Sequence, residues 1–188
     1  MIYLDNKKLI AGGDQGIILI KFDGNYINYN IIFHINKNEI IRNIIKTYDN
    51  YFISYGNDIP ICKWEINKEE NNIDNLFILK TEKDVLGICE INNKYFTYQT
   101  EEYIYILNYK TFKEHIKIKY TIQSYIYREN GINKLTDKII GTISYNSDQL
   151  DFFDVETGEK MFEISNDDNG NQVFYRGFLR TKMRKRRN

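Results

Sequence analysis

The strongest constraint on this 188-residue chain is a unit of about 44 residues that recurs four times along it. The units run from Asp5 to Ile20, Asp49 to Glu65, Asn92 to Asn108 and Asp137 to Asp154. Their leading Asp or Asn recurs in steps of 44, 43 and 45 residues. The bulky residue near the end of each (Ile20, Trp64, Leu107, Phe153) recurs in steps of 44, 43 and 46. Two anchors that keep one period point to stacked copies of one supersecondary unit, because such a unit buries its apolar face only against its neighbours.

Each unit opens on a polar Asp/Asn turn and enters a short apolar strand, such as Tyr51–Tyr55 or Ile139–Ser144. It turns at Gly, Asp, Asn or Ser and runs back to the bulky residue, as a β-hairpin does. Two more apolar stretches separate consecutive hairpins: Ile27–Phe33 and Ile40–Ile45, then Asn75–Lys80 and Val85–Ile91, then Lys113–Lys119 and Thr121–Tyr127. Helix competes with strand over Glu39–Lys46, where Ile40, Ile41, Ile44 and Ile45 have helical spacing. That segment is too short to stand as an isolated helix, and the matching slots elsewhere read as strand. With 16 Tyr, 11 Phe and abundant Ile, the composition favours strands throughout.

Four strands repeating at this period predict an all-β chain of β-propeller blades, each a sheet of four antiparallel strands. The sequence resembles a divergent member of the WD40 repeat family. Lys63-Trp64-Glu65-Ile66 and Phe152-Phe153-Asp154-Val155 stand where that family places its Trp-Asp pair, and Ser54 and Ser144 lie near its strand serine. Asp14 and Asp58 resemble its hairpin aspartate, and Asp148 does so after a one-residue deletion. The chain has no Gly-His dipeptide and no literal Trp-Asp pair, so the His-centred hydrogen-bond network of the family cannot form in its usual version. The resemblance implies that Trp64, Phe153, Asp154, Asp14 and Asp58 are structural repeat anchors.

The expected organisation is four blades plus an extra strand over residues 1–179, followed by a tail over 180–188. Gln172–Leu179 reads as the first strand of a further blade. Three arrangements are open: part of a larger propeller, a closed four-bladed ring, or a ring completed by a second copy. An incomplete arc exposes apolar faces and strand edges, so it implies a protein partner or a second copy.

The search for chemistry yields little. His34 and His115 have no Cys, Asp or second His beside them at metal-ligand spacing, and Cys62 and Cys89 sit in different blades. Glu69-Glu70, Glu101-Glu102 and Asp167-Asp168 are adjacent pairs, which point to opposite faces on a strand or into solvent on a loop. Gly12-Gly13-Asp14-Gln15-Gly16 lacks the Gly-Lys-Ser/Thr ending of a phosphate loop and reads as a hairpin turn. No catalytic residue, cofactor or metal is expected. An active site in a propeller mouth stays open as the alternative.

Tyr55, Tyr98 and Tyr145 precede the turns of three successive blades, as ring-packing residues or as a binding surface. Tyr103, Tyr105, Tyr109, Tyr120, Tyr125 and Tyr127 extend that candidate surface. Lys plus Arg and Asp plus Glu both number 26, yet Arg180, Lys182, Arg184, Lys185, Arg186 and Arg187 are crowded into the last nine residues without an acidic one. The remainder then carries about −6, an acidic body with a basic tail. The tail is the one candidate for contact with nucleic acid. No apolar run of membrane-spanning length and no leader pattern is present, and two cysteines suit a reducing compartment, cytoplasmic or nuclear.

Overall fold

The computed structural model describes residues 1–5, 7–24, 26–33, 40–47, 51–57, 59–67, 72–120, 131–144, 149–166 and 172–176. Those residues form seventeen strands in four antiparallel sheets, with no helix among them. The chain divides into two compact units, Met1–Val85 and Leu86–Asn188, each built from two sheets.

In the first unit, β1 (Ile2–Asp5), β2 (Lys8–Gly13), β3 (Gly16–Asp23) and β4 (Tyr26–Phe33) pair in chain order. The next four strands repeat that meander: β5 (Ile40–Lys46), β6 (Tyr51–Asn57), β7 (Ile59–Asn67) and β8 (Asn72–Leu79). The segment 40–46 is therefore strand, its isoleucines held by pairing with β6. Asp14 and Gln15 make the two-residue turn between β2 and β3, and Gly16 follows with a φ of 109°, a conformation closed to most side chains. Ile10, Ile17 and Leu19 of the first sheet pack with Ile41, Ile44, Phe52, Cys62 and Trp64 of the second in one core. A Cβ on Gly12 would stand 2.4 Å from Ile41 Cγ2, so the glycine lets β2 approach β5 closely.

The second unit opens with β9 (Gly87–Glu90), β10 (Tyr95–Gln99), β11 (Tyr103–Asn108) and β12 (Glu114–Lys119). Its other sheet contains β13 (Ile132–Thr136), β14 (Ile139–Ser144), β15 (Gln149–Asp154), β16 (Lys160–Asn166) and β17 (Gln172–Arg176). Here Tyr95, Ile104 and Ile106 of the third sheet share a core with Ile140, Phe153 and Val155 of the fourth.

Two sequence expectations change. Gln172–Arg176 does not begin another blade; it adds to the fourth sheet as a fifth strand, antiparallel to β16 from Phe162↔Arg176 to Asn166↔Gln172. The strand that precedes the fourth hairpin is Ile132–Thr136, which pairs with β14 directly. The expected strand Thr121–Tyr127 lies outside the described residues, as do His34, Asp58, Tyr125, Tyr127, Tyr145, Asp148 and the basic tail from Arg180 to Asn188.

Candidate functional site

Register places the four bulky anchors at one structural position. Ile20, Trp64, Leu107 and Phe153 each sit directly across from an apolar residue of the preceding strand: Leu9, Phe52, Phe96 and Ile140. Two residues past the anchor, the backbone N–H donates back to a lysine carbonyl in the opening turn. The pairs are Phe22 to Lys7 at 2.7 Å, Tyr109 to Lys94 at 2.8 Å and Val155 to Lys138 at 2.9 Å. The period in the sequence is thus a period in hydrogen bonding.

Trp64 is buried and stacks on Phe52 at 5.9 Å between centroids, and its Nε1–H donates to Ser54 Oγ at 2.9 Å. The pair satisfies a buried indole that would otherwise lose its hydrogen bond to water. The residue at the position of Ser54 in the fourth sheet is Thr142, two residues past Ile140, whereas Ser144 faces Gln149 at the strand end. Thr142 is buried with Gln99, whose Nε2–H donates to Thr142 Oγ1 at 3.2 Å. Phe153 is buried, with the Tyr120 ring edge-on at 5.7 Å. Asp14 is exposed in its turn.

Asp154 acts as a turn cap. Its Oδ1 accepts from Glu156 N–H at 2.9 Å, Thr157 N–H at 2.8 Å and Thr157 Oγ1–H at 3.2 Å. Asn108 repeats this arrangement in the third sheet with Lys110, Thr111 and the Thr111 hydroxyl, at 3.0, 3.1 and 3.2 Å. The next position is left-handed in both turns: Gly158 at φ 72° and Phe112 at φ 57°. The signal for these two threonines is present in the sequence as Asn108-Tyr-Lys-Thr111 and Asp154-Val-Glu-Thr157, an acceptor side chain followed three residues later by a hydroxyl.

Tyr55 and Tyr98 are 2% and 7% exposed, which removes both from any accessible surface. Their strands are buried on both faces, at every position over 52–56 and 95–99, and the Tyr98 ring stacks on Tyr105 at 4.5 Å. Tyr103 and Tyr105 are half-buried, and Lys117 Nζ lies 4.1 and 5.0 Å from their ring centroids. Its ammonium is held above the usual lysine range, first by its hydrogen bond with Tyr105.

The titratable side chains that do meet are engaged with one another. Glu156 accepts from Tyr95 OH at 3.3 Å and lies 3.5 Å from Lys94 Nζ and 3.6 Å from His115 Nε2. The His115 ring stacks on Tyr95 at 4.5 Å. On the fourth sheet, Lys160 pairs with buried Asp151 at 2.6 Å and with Glu163. Cys62 and Cys89 are not disulfide-bonded, and burial pushes the Cys89 thiol up, away from the thiolate that nucleophiles and metal ligands require. No metal-binding group of three or more His, Cys, Asp or Glu occurs among the described residues. An open cleft of about 340 Å³ in the first unit is lined by Ile59, Pro60 and the polar 80–85 segment. Nor, among the described residues, is any helix long and apolar enough to cross a membrane.

Exposed apolar side chains are a second surface feature that the sequence reading did not single out. They include Tyr3, Ile27 and Tyr29 of the first sheet and Leu76, Phe77 and Ile78 of β8.

No protein-family model and no curated protein sequence matches the chain. Solved structures do match its fold. U3-55K superposes with a TM-score of 0.63 at 10% identity, over 94% of this chain and 59% of that one. AztD from Citrobacter koseri, in its apo form, gives 0.61 at 13% identity, over 93% and 50%. BamB from Moraxella catarrhalis gives 0.61 at 14% identity, over 93% and 59%. All three are β-propellers, so the sheets described above are propeller-type blades. The chain spans half to three-fifths of the length of these structural neighbours.

Proposed function

We propose that this protein is a non-catalytic, WD40-like interaction scaffold that works as a subunit of a larger intracellular assembly, cytoplasmic or nuclear. The observation that carries the reading is the division of labour between its side chains. Polar and titratable groups are spent on holding strands and turns together, as in the Glu156 and Asp151 clusters, while large apolar and aromatic groups stand exposed on sheet edges. Surfaces of that composition suit protein contacts, in which aromatic residues supply most of the binding energy. U3-55K, a WD40 protein, supports this assignment at the level of fold.

The reading predicts a stoichiometric complex with a protein partner that is weakened by polar substitution of exposed apolar residues, for example Phe77→Ser. Turnover of a substrate that is lost on substituting Glu156 or Asp151, with the fold intact, would overturn it.

A further inference from the structure

A strand that ends a sheet presents a row of unpaired backbone N–H and C=O groups, a template for another strand. Of the four outer strands β4, β8, β12 and β16, three are guarded. β12 exposes Glu114, Lys117 and Lys119. β16 is covered by β17 from Phe162 to Asn166. β8 carries the exposed Asp74, and its register with β7 slips at Leu76. Charge, an added strand and a bulge are the usual ways of blunting an edge. β4 has none of them over Tyr26–Ile31. Its register with β3 runs unbroken from Asp23↔Tyr26 to Ile18↔Ile31, without a charged residue or a proline, and the slip in this sheet falls beyond that stretch. Among the described residues β4 pairs with β3 alone.

The backbone of β4 is turned to use that edge. Phe22 N–H donates to the Lys7 carbonyl at 2.7 Å, so Phe22 and, two residues back, Ile20 direct their main-chain groups toward β2. In an antiparallel ladder the residues opposite them then point their own groups away from β3. Those residues are Ile27 and Tyr29, each 66% exposed. Outward donors and acceptors thus lie beside apolar and aromatic side chains in water, a combination that an interface covers. The occupant is written in the sequence. Ile27-Asn28-Tyr29-Asn30-Ile31 reads the same in both directions. Antiparallel pairing of this stretch with its own copy, centred on Tyr29, sets Ile27 opposite Ile31, Asn28 opposite Asn30 and Tyr29 opposite Tyr29. Every pair joins like with like, and none brings two charges together.

We infer that the open edge of β4 pairs with β4 of a second copy of this chain, antiparallel about a two-fold axis at Tyr29. The first sheet then continues across the axis into the first sheet of the second copy, through the outward backbone groups of β4. The contact is isologous, so each copy uses its edge once and the assembly closes at two. The inference is independent of the scaffold reading, since a pair joined through β4 alone serves a scaffold and an enzyme equally.

The test is mass in solution against concentration for the full chain and for Tyr29→Lys and Tyr29→Glu. Circular dichroism and a cooperative melt establish that each folds. The unaltered chain is expected to be a dimer. A residue on the two-fold axis meets its own copy, so either charge meets itself, and each variant is expected to dissociate with a Kd at least about tenfold weaker. An equimolar mixture of the two variants is expected to recover a dimer with one chain of each kind, lysine opposite glutamate. Hydrogen exchange on the unaltered chain reads the same contact without a substitution. The amides of Ile27 and Tyr29 should be protected in the dimer and lose that protection on dilution to monomer. A chain that stays monomeric at about 100 μM, where micromolar contacts are occupied, overturns the inference. So does a dimer indifferent to both substitutions, a mixture that associates no better than its components, or a dimer in which those amides exchange freely. Species that grow beyond two copies overturn it as well, because an edge used once by each copy cannot propagate.

Discussion

The indole N–H of Trp64 and the hydroxyl of Ser54 meet at 2.9 Å inside the second sheet, on one face and diagonally across two strands. This contact fixes the tilt of the largest side chain in the core shared by the first two sheets. Removing the hydroxyl with Ser54→Ala takes this hydrogen bond from a buried indole, at a cost of about 1–3 kcal/mol. Trp64→Phe should cost a comparable amount, and Trp64→Ala about 3–5 kcal/mol. Denaturant titration of the single and double variants checks this. The Ser54→Ala/Trp64→Phe pair should destabilise by less than the sum of the singles, because either change alone already breaks the bond.

The turn after β15 makes a sharper demand. Gly158 has a φ of 72°, and a Cβ there would stand 2.6 Å from Ile116 Cγ2. Gly158→Ala therefore combines left-handed strain of roughly 1–2 kcal/mol with a steric clash, and should lower stability by about 2 kcal/mol or more.

Phe112 occupies the equivalent place in the third sheet at φ 57°, yet it is buried 4.9 Å from the Phe96 ring. Phe112→Gly relieves about 1–2 kcal/mol of strain but removes a buried ring worth about 3–5 kcal/mol. The net effect should be destabilising. A stabilised variant would mean that the backbone conformation, not the packing, dominates at this position.

Gln99 and Thr142 form a buried polar pair one repeat apart, at 3.2 Å. Thr142→Val strands the amide of Gln99 and should cost about 1–3 kcal/mol. Adding Gln99→Leu should recover part of that loss, since replacing both partners removes the unpaired group. A double variant no more stable than Thr142→Val would show that the Gln99 amide has other uses.

Lys160 carries a pH dependence. Burial works against its charge, but hydrogen bonds with Asp151 and Glu163 outweigh that and hold its ammonium above the usual 10.5. A raised folded-state value stabilises the protein below 10.5 and is lost as pH rises through the folded value. The stability difference between the unaltered chain and Lys160→Met should be largest at neutral pH and shrink above 10.5. Chemical denaturation across pH 7 to about 11 measures it. A difference that stays constant would mean that Lys160 acts through its alkyl chain alone.

How much of this was legible in the sequence depends on how local each feature is. The four hairpins and the Trp64 and Phe153 positions follow from residues within one hairpin, where apolar alternation selects strand; the turn at Asp154 obeys an equally local rule, a carboxylate followed by a hydroxyl, although the sequence reading took Asp154 only as a repeat anchor. Segment 40–46 already required context, because its isoleucines fit helical spacing as well as β alternation.

Tertiary structure decided the rest. Gln172–Arg176 has the composition of any strand, and only the unpaired edge of β16 assigns it to the fourth sheet instead of a new one. Ile132–Thr136 is short and buries only Ile132, so pairing with β14 identifies it where hydropathy favours the more apolar Thr121–Tyr127. Thr142, not Ser144, matches Ser54 because register, which a shift of two residues leaves indistinguishable in the pattern, is set by the partner strand. The burial of Tyr55 and Tyr98 and the exposure of Tyr3 and Tyr29 divide chemically identical side chains by what covers them. The sequence by itself determined the blades, since a strand and its turn are written in a dozen neighbouring residues. Which edge each strand joins, and which aromatic is left in the open, depends on surfaces brought together from distant parts of the chain.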